Sequence, residues 1–108
     1  MKRSRACYVV LITCPTGRVA TRLARLMVRQ HVAACVNILS HVRSHFWWQG
    51  KVTYASEQPL VVKTTAAKIT PLRQLLKQHH PYTVPELVAL PIRAGLPAYL
   101  DWVRASCR

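Results

Sequence analysis

Two adjacent histidines, His79 and His80, stand immediately before Pro81. Imidazole is the commonest side-chain ligand for borderline metals, and copper(II) heads the divalent affinity order, so this pair is the first candidate for metal chemistry. Neighbouring residues at a helix end point apart, so joint ligation of one ion needs a fraying turn or a subunit boundary. Each histidine also has a purely structural reading. His79 is in phase with Leu72, Leu75 and Leu76 on a helix face, and His80 can cap helix carbonyls. Glu86 is one of only three acids in the chain, with Glu57 and Asp101. It can serve as a ligand, as an ion-pair partner for Lys63, or as a hydrogen-bond acceptor near Tyr82.

Residue types suited to catalysis are sparse, and the chain reads as non-enzymatic. No second carboxylate lies near Glu86 for paired acid–base work. No serine sits in a G-x-S-x-G elbow, and with three glycines in all there is no glycine-rich phosphate loop. The four cysteines, Cys7, Cys14, Cys35 and Cys107, form no C-x-x-C pair. They read as reduced thiols, some of them buried as small hydrophobes.

Charge is the other chemical signal. Sixteen Lys and Arg against three acids give +13, which favours small anions or polyanions as partners. Arg18, Arg22, Arg25 and Arg29 recur at spacings of four, three and four, one face of a helix that contains no acid.

The elements that position these groups follow from periodicity. Tyr8 to Thr13 is a β-branched apolar run expected to be a buried strand. Thr16 is the expected N-cap of a helix from Gly17 to about Gln30, with Val19, Leu23, Leu26 and Met27 as its buried stripe. Val36 to Trp48 alternates as one long strand, with Val36, Ile38, Val42, Phe46 and Trp48 on its buried face. Gln49-Gly50 turns the chain, and the return strand runs from Lys51 to Thr65. Pro59 must bend it, bulge it or lie at an edge. Thr70-Pro71 reads as N-cap and first helical residue of a second helix that Pro81 stops. Glu86 to Ile92 is the last strand, and Leu96-Pro97-Ala98 opens a short final helix. The chain is thus one α+β domain over residues 1–108, with a basic tail at residues 1–6. Its order, βαββαβ plus a helix, predicts a ferredoxin-like sandwich.

The Val36–Trp48 strand would extend about 43 Å at ~3.3 Å per residue. A compact domain of this size is only about 34 Å across. Either the strand bends or breaks near Ser40 and stays inside, or the hairpin overhangs its own domain and its aromatic tip, Phe46, Trp47 and Trp48, calls for a partner.

Several segments, taken in order, resemble the CutA divalent-cation tolerance family. They are Ala33-Ala34-Cys35-Val36-Asn37-Ile38, Trp47-Trp48-Gln49-Gly50-Lys51, Lys63-Thr64, His80-Pro81-Tyr82-Thr83-Val84-Pro85-Glu86, Leu90-Pro91-Ile92 and Tyr99-Leu100-Asp101-Trp102. The resemblance implies a ferredoxin-like protomer in a tight homotrimer whose hairpins continue a neighbour's sheet. It implies a link to copper(II) or another divalent metal, with His79 and His80 matching proposed ligands. Cys14 is a further candidate, since Ile12 stands where some relatives carry a metal-associated cysteine. It also implies an intersubunit cleft lined by Lys63, Tyr82 and Glu86. The family usually carries several acids after the hairpin, whereas this chain has Thr53, Tyr54, Ala55 and Ser56 and keeps only Glu57.

A rival reading rests on charge. RNA recognition modules share the βαββαβ order and stack bases on aromatics of their first and third strands. Tyr8 and Tyr54 are the residues available for that role here, although the required K/R-G-F/Y-G/A-F pattern is missing. No apolar run approaches the ~18 residues of a membrane span. Residues 6–12 suit a buried strand better than a signal segment. The expected compartment is the cytoplasm and the expected membrane contact is none.

Overall fold

The strand that carries Pro59 is the longest in the protein. The computed structural model describes residues 5–108. Its elements are β1 (Cys7–Cys14), α1 (Gly17–Arg29), β2 (Cys35–Ile38), β3 (Val42–Trp48), β4 (Lys51–Thr65), a 3-10 turn at Ala66–Lys68, α2 (Ile69–His79), β5 (Val88–Pro91) and α3 (Pro97–Ser106). The sheet order is β2-β4-β1-β5, with β3 also paired to β4, and every pairing is antiparallel. Each helical crossover skips one strand: α1 links β1 to β2 across β4, and α2 links β4 to β5 across β1. The result is an α+β fold.

One face of the sheet makes the core. Val10 stands opposite Val62, and Ile12 opposite Leu60. These four pack under Ala20, Leu23 and Met27 of α1 and Leu72, Leu75 and Leu76 of α2. Burial of such side chains is the main stabilising term, roughly 1.5–3 kcal/mol each. Thr16 caps α1 as expected, accepting from the Val19 amide at 3.2 Å. Among the described residues the opposite face is covered at the Cys7 end, where Leu100 and Val103 of α3 and the following Cys107 pack.

The long strand expected over Val36–Trp48 is interrupted. In the inner ladder Ile38 pairs with Leu60, and in the outer ladder Val42 pairs with Glu57. Leu39, Ser40 and His41 therefore face only Gln58 and Pro59, an extra residue that makes a β-bulge. The Pro59 carbonyl accepts from the Leu39 amide at 2.9 Å. Its nitrogen faces the same side, so the donor that proline lacks falls at the bulge, where no ladder needs it.

The bulge also corrects the expected buried face. Val36 and Ile38 stand opposite Val62 and Leu60, whereas Val42 and Phe46 stand opposite Glu57 and Thr53, positions of the other parity on β4. One inserted residue exchanges the faces, and Ile38, Val42, Phe46 and Trp48 are all exposed.

Three local expectations shift. Lys68, not Thr70, occupies the cap of α2, and the Thr70 hydroxyl instead accepts from Arg73 at 3.2 Å. The last strand is shorter than Glu86–Ile92, spanning Val88–Pro91. Of the expected basic tail, residues 1–4 lie outside the described residues. Arg5 and Ala6 are tied in: Arg104 donates to the Arg5 carbonyl and Ala66 to that of Ala6, each at 2.8 Å. The turn forms as expected, with Gln49 at φ 50° and Gly50 at φ 76°, both in the region a two-residue hairpin turn requires. The long axis is 43 Å against 25 and 23 Å for the others, as an overhanging hairpin demands.

Because the missing donor of Pro59 falls at the bulge, Pro59→Ala is expected to keep the fold. It should lower stability by only ~0.4–1 kcal/mol, through the unfolded chain. Urea unfolding checks this; a gain in stability would show that Pro59 is strained.

Candidate functional site

Pro81 sets the geometry of the histidine pair. A residue preceding proline is pushed out of the helical region, and His80 accordingly takes φ −81°, ψ 135° after its amide closes α2 on the Leu76 carbonyl. That extended step turns its ring inward, to 7% exposure. The Tyr82 amide can only donate, so Nδ1 of His80 is its acceptor at 3.1 Å. Nε2 then carries the proton and donates to the Thr13 carbonyl at 2.9 Å. His80 thereby pins the loop after α2 to the end of β1. His79 stays exposed, and among the described residues its ring makes no hydrogen bond. Its carbonyl accepts from the Arg22 guanidinium at 2.9 Å, a side-chain cap on the end of α2.

Tyr82 reaches on to the buried carboxylate of Glu57, donating to Oε2 at 2.8 Å. Glu57 is 6% exposed. Burial first, then the bond to and charge of Glu57, push the Tyr82 phenol up to about 12. Partial burial and the Glu57 charge raise the carboxyl of Glu86 as well. Cys14 is fully buried, and burial, reinforced by Glu57, pushes its thiol up to about 11. Burial thus favours the protonated thiol. The one ion pair among the described residues joins Arg104 to Asp101 at 3.0 Å, so neither Glu57 nor Glu86 has a cationic partner there.

The expected site residues separate accordingly. Tyr82 finds its acceptor in Glu57, not Glu86. Lys63 bonds instead to the Asn37 side chain. It lies six positions from Glu57 on β4, about 20 Å at ~3.3 Å per residue. Within one protomer the cleft trio Lys63, Tyr82 and Glu86 is therefore split. His79, His80 and Cys14 do not offer one ion a converging set: His80 has both nitrogens bonded, Cys14 is buried, and no group of three or more metal-ligating side chains forms among the described residues. These residues do not fit a closed metal centre. The stacking platform of the rival reading is also absent. Tyr8 stands opposite Thr64, ten positions from Tyr54 on the same strand, roughly 33 Å away.

Sequence reasoning missed Glu57 as the partner of Tyr82 and Arg22 as the cap of α2. Glu57 had one available signal, as the only acid on a long strand.

Two uncovered apolar surfaces lie elsewhere. On the open sheet face, Leu11 neighbours Val61 and Val88, and Val9 neighbours Lys63 and Leu90. Val88 and Leu90 are 46% and 47% exposed. At the hairpin tip Trp47 and Trp48 are 74% and 53% exposed, with Val52 and Tyr54 exposed beside them.

Comparison with known proteins is consistent along nearly the whole chain. The family described as CutA1 divalent ion tolerance protein matches residues 8–106. The divalent-cation tolerance protein CutA of Thermus thermophilus is 49% identical over 98 residues, 91% of this chain and 95% of that protein. A solved divalent cation tolerance protein from the same organism superposes with a TM-score of 0.91 at 47% identity, covering 93% of this chain and 97% of the other. CutA1 from Oryza sativa gives 0.93 at 39% identity, covering 95% and 94%. The expectation of a cytoplasmic protein is corrected by these relatives. The Archaeoglobus fulgidus structure, TM-score 0.91 at 37% identity over 94% of this chain and 99% of that one, is described as a periplasmic divalent cation tolerance protein. A rice relative, 40% identical over 93% of this chain and 56% of its own length, is described as chloroplastic. The fold is therefore not bound to the cytoplasm.

Tyr82→Phe removes the one donor to a buried carboxylate, which is expected to cost ~1–3 kcal/mol of stability at neutral pH. Chemical denaturation measures it; an unchanged midpoint would mean that Glu57 does not depend on Tyr82.

Proposed function

The chain belongs to the CutA1 divalent ion tolerance family, and from that premise we propose that it is a non-enzymatic homotrimer of ferredoxin-like protomers that meets divalent cations, copper(II) among them, without transforming a substrate. The number three comes from the family resemblance. The observation that carries the need for partners is the apolar surface left uncovered: a sheet face with Val88 and Leu90 open to water, and an overhanging hairpin that ends in Trp47 and Trp48. Monomeric proteins seldom leave strand edges and large aromatics together in the open. A hairpin that extends a neighbour's sheet covers both at once.

Assembly also offers a route to the split cleft. Lys63 lies on the uncovered sheet face, so Lys63 of one copy can approach Tyr82 and Glu86 of another, although about 20 Å of β4 separates it from their own cluster. Cation contact in this reading falls to His79, the one member of the expected set with an exposed ring, while His80 and Cys14 serve structure.

Light scattering on the purified protein should give three times the 12.3 kDa chain mass. Trp47→Ala/Trp48→Ala should weaken assembly, at ~3–5 kcal/mol per truncated buried tryptophan. A stable monomer at micromolar concentration, or full assembly by the double variant, would contradict the proposal. Copper(II) calorimetry should show weaker binding by His79→Ala. Equal affinity with and without His79 would remove this contact.

A further inference from the structure

The charge excess of this chain has a structural focus. Arg18, Arg22, Arg25 and Arg29 are all exposed on α1, climbing the helix in steps of about 6, 4.5 and 6 Å at 1.5 Å per residue. A shallow groove of ≈ 640 Å³ runs along them, with Thr21 and Gly17 at its wall. No acid occupies the first turn of α1, so Arg18 stands against the positive end of the helix dipole. The three acids lie elsewhere: Glu57 is buried, Asp101 pairs with Arg104, and Glu86 precedes β5. The arrangement opposes helix stability; one Arg22 nitrogen donates to the His79 carbonyl, and the remaining repulsion is relieved by negative charge from outside the chain.

We propose that this arginine stripe is a docking surface for the phosphate backbone of duplex nucleic acid, bound without reading sequence. Three observations select that partner. Guanidinium forks pair bidentately with phosphate oxygens, and all four positions carry Arg rather than Lys. No aromatic side chain lines the groove, so there is nothing to stack on bases. Val28 is the only large apolar side chain exposed on α1, too little to anchor a helix in a bilayer. The stripe spans about 16 Å, and a duplex strand presents a phosphate every 3.4 Å along its axis, so four guanidiniums can reach separate phosphates. The surface lies on α1, away from the hairpin and the open sheet face invoked for assembly, so it stands independently of the proposed trimer.

The test is fluorescence anisotropy of a labelled 20-base-pair duplex DNA of random sequence, in 50 to 200 mM KCl. Four backbone contacts at a slope of ~0.9 each should weaken binding about 150-fold across that range. Arg25→Gln/Arg29→Gln, two exposed positions whose side chains make no hydrogen bond among the described residues, should bind more weakly at 50 mM and lose only about 12-fold. Arg93→Gln/Arg108→Gln removes the same charge elsewhere and should keep the 150-fold loss. The same affinities for a second duplex of different sequence are expected. The proposal is overturned if the two double variants behave alike, since net charge alone would then explain binding. It is also overturned if no duplex binds at 50 mM, if one sequence is strongly preferred, or if vesicles with 30% phosphatidylserine bind in preference to the duplex.

Discussion

The two ladders that β2 and β3 make with β4 are offset by one residue, and the rest of the structure depends on that offset. It is taken up in a bulge at Leu39–His41, opposite Gln58 and Pro59. Pro59 is tolerated in mid-strand because the donor it lacks falls at the bulge, on the side of β2 and β3. Inside the bulge, β4 is a central strand between β1 and β2, clamped by Leu60 and Val62 in the core. Outside it, β4 is one arm of a two-stranded hairpin with no helix beneath it. A two-stranded hairpin is marginal in water on its own, and this one carries two exposed tryptophans. The bulge thus divides a fifteen-residue strand into a half that builds the domain and a half left exposed in the protomer.

The same economy governs the acids. With three carboxylates against sixteen cations, each acid has a separate setting, and none is spent on α1. Glu57 is buried beneath Tyr82, and its charge is felt by Glu86, Tyr82 and Cys14. That corner is held together by His80, whose two ring nitrogens join the loop after α2 to β1. A histidine that looks like a ligand in the sequence is a brace in the fold.

Much of the fold was legible in the residues. Thr16 before a periodic run announced a capped helix, Gln49-Gly50 announced a turn, and the length of the hairpin against the domain diameter announced the overhang. A bend or break near Ser40 was one of two readings that the segment's length allowed, but the change of face was not legible, because both halves of the Val36–Trp48 segment alternate cleanly. A one-residue slip between them changes only which strand position each half faces. Of the candidate site, the inward turn of His80 had a readable cause in Pro81, since the pre-proline residue is forced to extend. The bond between Tyr82 and Glu57 had none: the two lie twenty-five positions apart, and only the packing of the loop against the end of the sheet brings them together. Lys63 was grouped with Tyr82 and Glu86 by resemblance, and in the protomer it stands far along β4 from both.

Hydrogen–deuterium exchange across residues 42–54 tests the central claim, that the outer half of β4 and its partner β3 are covered by other copies of the chain. An uncovered two-stranded hairpin exchanges its amides rapidly, because its stability is close to that of local fraying. The account predicts strong protection of these amides at assembled concentrations, approaching that of Leu60 and Val62 in the core. That protection should disappear in Trp47→Ala/Trp48→Ala while the core amides remain protected. Rapid exchange of residues 42–54 in the unaltered protein, at a concentration where light scattering reports an oligomer, would contradict it and put the interface elsewhere on the molecule.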